Sequence, residues 1–406
     1  MFKLTEDNIE KIFVIFVISS IFFTRVYIPN SLIAGKVFLL MFFFLWHRYR
    51  NTIKIPEEIK GYIKAYGIFV VLLIPSIPFS EFSWYSTKEF FKLWIWQYII
   101  FLVIVTFIRR RDYLKEMLTA FLLFSGVDCL ITLAQVLQHA SPEKRGIGIG
   151  GWLLTISGVI SMLLPVALVI LMDSRFDEKL KKSAAFAVVG MLIGLLCNKS
   201  RGSWLTAIIS VPISVYHYLK NNRKYLIVFC LIVFGIAGFM ATSPKYVQRI
   251  QSITNTTTDH SNADRIWCWK SARRMIADRP VTGVGPGQFY TVYIRDYRMV
   301  QETQGLAHAH NNFIHIAVEG GLIGLCGFLY FIAYYLRTSF QNYRKDNNPY
   351  DLLIFTVFLA HICLMGLIDY TLWYWTGTQP IFWFLIAILL KLKETDSQTA
   401  VSESAS

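Results

Sequence analysis

About twelve runs of apolar residues, each near the length of a bilayer crossing, constrain this chain more than any other feature. A hydrocarbon core of about 30 Å needs about 20 predominantly apolar residues per helix. The runs centre on residues 12–28, 31–46, 62–79, 90–108, 115–138, 149–172, 183–197, 203–219, 225–242, 312–336, 351–370 and 374–391. With 55% hydrophobic and only 16% charged residues over 406 positions, the chain does not resemble an ordinary soluble domain. Inside a bilayer, unpaired backbone groups have no water to turn to, so such segments must be helical. The expected fold is therefore an all-α polytopic membrane protein of about twelve transmembrane helices.

Orientation follows from the short loops. The connections holding Arg48 and Lys54, Arg109 to Arg111, Arg175 to Lys182, Lys220 to Lys224, and Arg337 to Lys345 are basic and follow every second run. That side reads as cytoplasmic, with both termini inside. One connection, 243–311, is long and lies on the other side. It carries nine Lys/Arg against five Asp/Glu, an excess tolerated because loops beyond about 60 residues escape the charge rule. The net charge of +14 is thus partly topology signal rather than a nucleic-acid footprint.

The chain divides into transmembrane helices 1–9 over 1–242, the outer loop 243–311, helices 10–12 over 312–393, and a polar, Ser-rich tail 394–406 expected to be disordered. The first run, preceded by Glu6, Asp7 and Glu10, reads as a retained helix rather than a signal peptide. The six cysteines show no paired spacing. Cys268 alone lies clearly in the loop, where it can pack under neighbouring tryptophans.

Within the loop, Ser261-x-x-Asp264 reads as a capping box opening an amphipathic helix over 264–279. Ile266, Trp269, Ala272 and Ile276 recur at helical spacing, and Pro280 and Gly283 end the helix. It would lie at the membrane surface or pack on the top of the bundle. Gly283-Val284-Gly285-Pro286-Gly287 reads as a tight turn in preference to a phosphate cradle, because no nucleotide-fold context surrounds it. Tyr290, Tyr293 and Tyr297 form a stripe suited either to sugar stacking or to the interface.

Three places could carry chemistry. His310, with His308 and His315 nearby and Asn311 beside it, stands where the loop re-enters the membrane, and a neutral imidazole is a general base near neutral pH. A single interfacial histidine is more often structural; three within eight residues shift the balance. Arg201 lies in a short outer turn, Asn198 to Trp204, where a cation at the membrane edge demands a partner. Its planar fork suits a phosphate, although it could also snorkel to lipid headgroups. Arg265 on the loop helix would be a plain surface charge if it stood alone. Together these residues suit attack by a hydroxyl on a carbon bonded to pyrophosphate. Two guanidinium groups would neutralise the leaving group, and His310 would take the proton. Asp369 lies toward the same side and could contact substrate; Asp128 and His361 also interrupt apolar runs. Neither a cofactor nor a metal is called for, since HExxH, CxxC and a DxD pair are all missing from the sequence.

The order Ser200-Arg201-Gly202-Ser203-Trp204, Arg265 with Trp269, Pro280 with Gly283-Val284-Gly285, and His310-Asn311 followed by Glu319-Gly320-Gly321-Leu322-Ile323-Gly324 resembles the core of the O-antigen ligase and polymerase superfamily. Gln135 and Arg145-Gly146 resemble family positions more loosely, and Trp152-Leu153 departs from the family's polar pair. The resemblance implies an inverting, metal-independent glycosyltransferase of the GT-C type in the bacterial inner membrane, working on the periplasmic face. Its donor would be a glycan on undecaprenyl pyrophosphate and its acceptor a sugar of lipid A-core, in lipopolysaccharide biosynthesis. His310 maps onto the family's base and Arg201 and Arg265 onto its pyrophosphate ligands; Asn311, His308 and Asp369 are expected in support or at the acceptor. The spacing from His310-Asn311 to Gly321 and the one dominant outer loop favour a ligase over a polymerase joining lipid-linked repeats. A transporter or flippase of lipid-linked saccharide would instead carry internal repeats and broken helices at midplane. No such repeat is visible, and the polar residues crowd at one surface.

Overall fold

A computed structural model describes residues 55–138, 145–149, 151, 153–255, 259–372 and 378–404, with short stretches between 10 and 47. The first two apolar runs fall largely outside these residues, as do Trp152 and the aromatic cluster Trp373-Tyr374-Trp375. Among the described residues the regular structure is helical throughout, as expected for a chain that must satisfy its backbone within each segment.

The long helices are α1 (Glu57–Leu73), α2 (Ser83–Phe90), which passes through a π turn at Phe91–Ile95 into α3 (Ile99–Phe107), α4 (Arg111–Gln138), α5 (Leu153–Met172), α6 (Glu178–Asn198), α7 (Arg201–Asn221) and α8 (Arg223–Thr242). The outer loop contributes α9 (Pro244–Gln251), α10 (His260–Asp278) and the short α11 (Phe289–Val292). The chain closes with α12 (Asn312–Asp346), α13 (Pro349–Val357), extended by π and 3₁₀ turns to Leu367, and α14 (Thr378–Ser404). Eight stretches among the described residues are long and apolar enough to cross a membrane. They coincide with eight of the twelve expected runs, while the runs at 203–219 and 374–391 fall on α7 and α14. The chain is a polytopic helical membrane protein.

Packing ranks these helices sharply. In α5, 83% of the most apolar window is buried, and Ile381 to Leu390 of α14 are buried throughout, so these two helices lie at the centre of the bundle. In α8 nothing is buried, which leaves its apolar side chains facing outward all round. Helices α4 and α6 approach closely because both are small at the crossing. A Cβ on Gly190 would lie 2.6 Å from the carbonyl oxygen of Gly126, the small-residue packing that substitutes for hydrophobic drive in a bilayer.

Helix α14 runs on to Ser404, where the sequence reading expected a disordered tail after Lys393. Lys393 binds Glu58 at 2.6 Å and Asp351 at 2.8 Å, and Asp396 pairs with Arg111. These ion pairs tie the first turns of the expected tail back to the bundle.

The loop has its own core of Cys268, Ala272, Met275, Val284, Phe289, Val292 and Tyr293. Helix α10 therefore packs on the top of the bundle, the second of the two arrangements its periodicity allowed. Its cap is Asp259, whose side chain accepts from the Asn262 backbone N–H. Ser261 lies inside the helix, and the Asp264 carboxylate instead receives the Thr303 N–H at 2.9 Å. The capping box misplaced the start because Asp259 is an equally good cap two residues earlier.

The loop is also sewn into α12. At Gly321 the helix breaks, with φ 61° and ψ −164°, a backbone region open to glycine. The freed groups are taken up by the segment after α10. Val284 and Gly285 donate to the carbonyls of Val318 and Glu319, and Leu322 and Ile323 donate to those of Pro280 and Val281. In the run at 283–287 the Val284 and Gly285 amides are thus spent on the helix break and that of Gly283 on the Arg279 carbonyl, which makes a turn rather than a phosphate cradle.

Candidate functional site

His310 opens the site. It has φ 48°, a left-handed conformation rare for a residue with a Cβ. The strain is held from both sides. Asn311 caps α12, its side-chain oxygen accepting from Phe313 and Ile314 and its amide donating to the Leu367 carbonyl at 3.1 Å. Asn312 donates to Thr371 Oγ1 at 2.9 Å while its oxygen accepts from the Thr371 N–H at 2.9 Å. These bonds clamp the 310 turn to the turn that follows α13, which carries Asp369.

The clamp brings His310 Nδ1 within 2.9 Å of Asp369 Oδ1. Asp369 also accepts from the Tyr370 N–H, and burial leaves its side chain 5% exposed. Burial alone would raise its pKa; the charge and hydrogen bond of His310, with His308 and Arg265 further out, override this and hold it well below the usual carboxylate range. An ionised Asp369 fixes the proton of His310 on Nδ1 and leaves Nε2 as the open, basic nitrogen. Arg265 Nη2 stands 3.5 Å from His310 Nδ1.

The two other histidines are occupied. His308 is buried, its Nδ1 accepting from the His310 N–H at 3.3 Å, and burial followed by the charge of His310 lowers its pKa well below the ordinary value. His315 stacks on Tyr370 at 3.7 Å, accepts from the Ala309 N–H and lies 3.3 Å from Glu319, so neither ring nitrogen is available. Trp269 donates to the Ala309 carbonyl at 2.7 Å, which anchors the 308–310 turn to α10. His308, His310 and Asp369 offer three ligand atoms within 4.8 Å of one another. The spacing would admit a metal ion, but Nδ1 of each histidine is already engaged and a guanidinium adjoins the cluster. A dication would have to displace these bonds against like charge.

The second half of the site is cationic. Arg201 begins α7, is 8% exposed, and binds the Ser252 carbonyl at 2.7 Å and Asp259 at 3.1 Å. Arg145 and Arg249 join it. The Arg145 Nε donates to the Asn198 carbonyl at 2.8 Å and that of Arg249 to the Lys199 carbonyl at 3.3 Å. Burial, then repulsion by neighbouring guanidinium groups, lowers the pKa of Arg145 to about 9; burial and then Arg201 also lower that of Arg249, with Asp259 opposing. Arg265 is lowered chiefly by burial, with Asp369 opposing and Arg201 adding to the shift.

Of the residues singled out by sequence, His310 touches both Arg265 and Asp369, and Arg201 lies within electrostatic range of Arg265. Asn311 serves as a helix cap and clamp, and His308 lies beneath the site. Asp128 and Gln135 hold the 147–149 turn by accepting its backbone N–H groups. Tyr293 and Tyr297 bond to Glu302 and Asp278, which leaves Tyr290, 50% exposed, as the outward member of the stripe. His361 is fully buried, and neither ring nitrogen has a hydrogen-bond partner among the described residues. Arg249 and Asp259 were missed; the signal was an arginine one short helix beyond the last apolar run, answered by a cap-type aspartate ten residues on.

Comparison with known proteins agrees with this geometry. Residues 186–329 match the family model described as O-Antigen ligase. A Rickettsia bellii protein named "Putative polysaccharide ligase" is 28% identical over 172 residues, 40% of this chain and 41% of the relative. Namesakes from Rickettsia conorii and Rickettsia felis are 26% and 23% identical, over 34% and 56% of this chain and 33% and 55% of theirs. The matches thus span about a third to just over half the length of these relatives. The matched segment carries Arg201, Arg265 and His310 together with the broken helix that sets the last in place, so over residues 186–329 the chain is similar to the O-antigen ligase family.

Proposed function

We propose that this protein transfers a glycan from a lipid-linked pyrophosphate, of the undecaprenyl type, to a sugar hydroxyl of lipid A-core. The observation that carries the reading is the 2.9 Å His310–Asp369 pair with Arg265 beside it, on the face that bears the outer loop. His310 Nε2 takes the acceptor proton as the hydroxyl oxygen bonds to the anomeric carbon. The bond from that carbon to the pyrophosphate oxygen breaks, and the electron pair leaves with the lipid pyrophosphate. Attack from the side opposite the leaving group inverts the anomeric centre. A positioned base of this kind contributes about 10²–10⁴ in rate. Arg265 and Arg201 neutralise charge that develops only as the bond breaks, the condition for lowering the barrier rather than merely tightening binding.

The same reading puts the loop face toward the periplasm of a bacterial inner membrane and both termini in the cytoplasm, in line with the basic short loops. The name shared by the rickettsial relatives supports a ligase over a polymerase. The test is glycan transfer in a strain lacking its own ligase, comparing the wild-type gene with His310→Ala at matched membrane expression. Polymer on lipid A-core with wild type and its loss in the variant is the expected result. Lengthening of lipid-linked repeats over bare core would make the protein a polymerase. A fully active His310→Ala would remove the base assignment.

A further inference from the structure

Helix α10 buries one face and carries Arg265 and Trp269 on its flank; its remaining face is basic and points to solvent. Asp264, Cys268, Ser271, Ala272 and Met275 are buried, whereas Lys270, Arg273 and Arg274 are exposed. Residues three and four apart on a helix are neighbours, and like charges at that spacing destabilise it. Elsewhere in the outer loop the cations are answered. Arg279 and Arg295 pair with Glu81, Arg298 pairs with Glu302, and Arg249 and Arg265 reach the Lys199 carbonyl and His310. Among the described residues, Lys270, Arg273 and Arg274 make no ion pair. Asp278 follows Arg274 by one turn, yet its carboxylate takes the Tyr297 hydroxyl at 2.7 Å.

Aromatic rings hold two of these cations without neutralising them. Lys270 Nζ lies 3.7 Å from the centre of the half-buried Trp267 ring, and the Arg274 guanidinium lies 6.0 Å from that of Tyr297. Charges fixed in advance lose less freedom when a ligand arrives. A face kept only for solubility is served by mixed signs. Three unanswered cations on one face instead complement an anion.

The position of this face along α10 says which substrate can reach it. Asp259, the cap of α10, holds Arg201 at 3.1 Å, so the first turn marks the end where the leaving group departs. Further along the helix, Arg265 and Trp269 meet the turn that carries His310. An in-line nucleophile approaches the anomeric carbon from the side opposite the leaving group. That side is the later half of α10, where Lys270, Arg273 and Arg274 stand.

We propose that Lys270, Arg273 and Arg274, with Trp267, dock an acceptor oligosaccharide that carries phosphate groups. The inference rests on the sugar acceptor proposed above and names its chemical class. A phosphate monoester brings a charge of about −1.5 to −2 and three acceptor oxygens to one point. Guanidinium forks bind such oxygens in pairs.

The test is glycan transfer by the full chain in phosphatidylcholine nanodiscs from an undecaprenyl-diphosphate-linked glycan. Lipid A-core is the acceptor, in its native form and after hydrofluoric acid has removed its phosphates. Wild type is expected to show an acceptor KM lower by about tenfold or more for the native form. Replacing Lys270, Arg273 and Arg274 together by alanine should raise that KM about tenfold. The KM of the dephosphorylated acceptor, the donor KM and kcat should each stay within about twofold. Added salt should weaken the native acceptor in wild type and hardly at all in the triple variant. Melting temperature is read in parallel. Should the triple variant fail to fold, Arg273→Ala alone should raise the native acceptor KM about threefold, and Arg273→Lys should restore most of it. A folded triple variant with the wild-type acceptor KM overturns the proposal, as does a wild type indifferent to the phosphates. A rise in donor KM in place of acceptor KM overturns it too, by giving the face to the donor glycan. A wild type that transfers nothing to lipid A-core overturns this proposal together with the ligase reading; transfer with an unmoved acceptor KM overturns this one alone.

Discussion

Two histidine–carboxylate pairs are built on histidines five residues apart, and they differ in what the second nitrogen is doing. In the outer pair, His310 gives Nδ1 to Asp369 and keeps Nε2 open, with 15% of its side chain exposed. In the inner pair, His315 faces Glu319 while its other nitrogen accepts from Ala309, and the Glu319 carboxylate also takes the Phe289 N–H. The outer pair stands on a strained left-handed backbone; the inner one sits in a regular helix. Residue types and spacing do not separate a base from a strut. The unspent nitrogen does, and so does the strain that the surroundings maintain.

The largest effect should come from the outer pair. His310→Ala is expected to lower glycan transfer by about 10³-fold or more, with a melting temperature close to wild type. A rate within tenfold of wild type, measured in reconstituted membranes, would collapse the distinction between the pairs. Asp369→Asn comes next. The amide is neutral and can donate, so it no longer enforces the Nδ1 tautomer, and transfer should drop about 10²-fold or more. The cost should appear in the rate at saturating donor rather than in donor affinity.

The inner pair should show the reverse profile. His315→Ala strands the Ala309 N–H and removes one partner of Glu319, at a cost of about 1–3 kcal/mol in stability. Denaturant unfolding of the purified protein checks this. The reading fails if stability is unchanged while turnover collapses. The smallest effect concerns pH and His308, which lies between the pairs. Its pKa in the folded chain is well below 6.5, so as pH falls through 6.5 the unfolded chain takes up a proton that the folded chain refuses. Stability from this group is complete above that value and declines below it, by at most about 1.4 kcal/mol per pH unit. His308→Asn can keep the acceptor for the His310 N–H and should flatten that slope between pH 6.5 and 5. Asp369, depressed in the folded state, has the carboxylate profile: its contribution is present above about pH 4 and is lost only in stronger acid.

Much of this was legible in the sequence, for identifiable reasons. Polar residues are costly where a chain re-enters a bilayer, so His310 and Arg201 stood out against their apolar surroundings. Arg265 was legible only in combination with them. Its contact with His310 spans 45 residues, and no local pattern encodes a pairing of that range. Arg249 was hidden because a positive charge in a basic loop carries little information until its neighbours are known. The glycines from 320 to 324 were visible as a motif, but their purpose was not. One of them breaks a helix so that a distant segment can fill the gap, and that complement lies 36 to 41 residues upstream, at 280–285. The helix start at 260 was missed by a few residues because two cap-type side chains compete there.

The break at Gly321 has a consequence for how the molecule assembles. The lower part of α12 can enter the bilayer as an ordinary span, but the turn at the break has donors and acceptors that are met by the segment after α10. The outer loop and the last quarter of the chain are therefore expected to reach their final shape together. Hydrogen exchange at Leu322 and Ile323 should then report on the folding of a loop that lies outside the membrane.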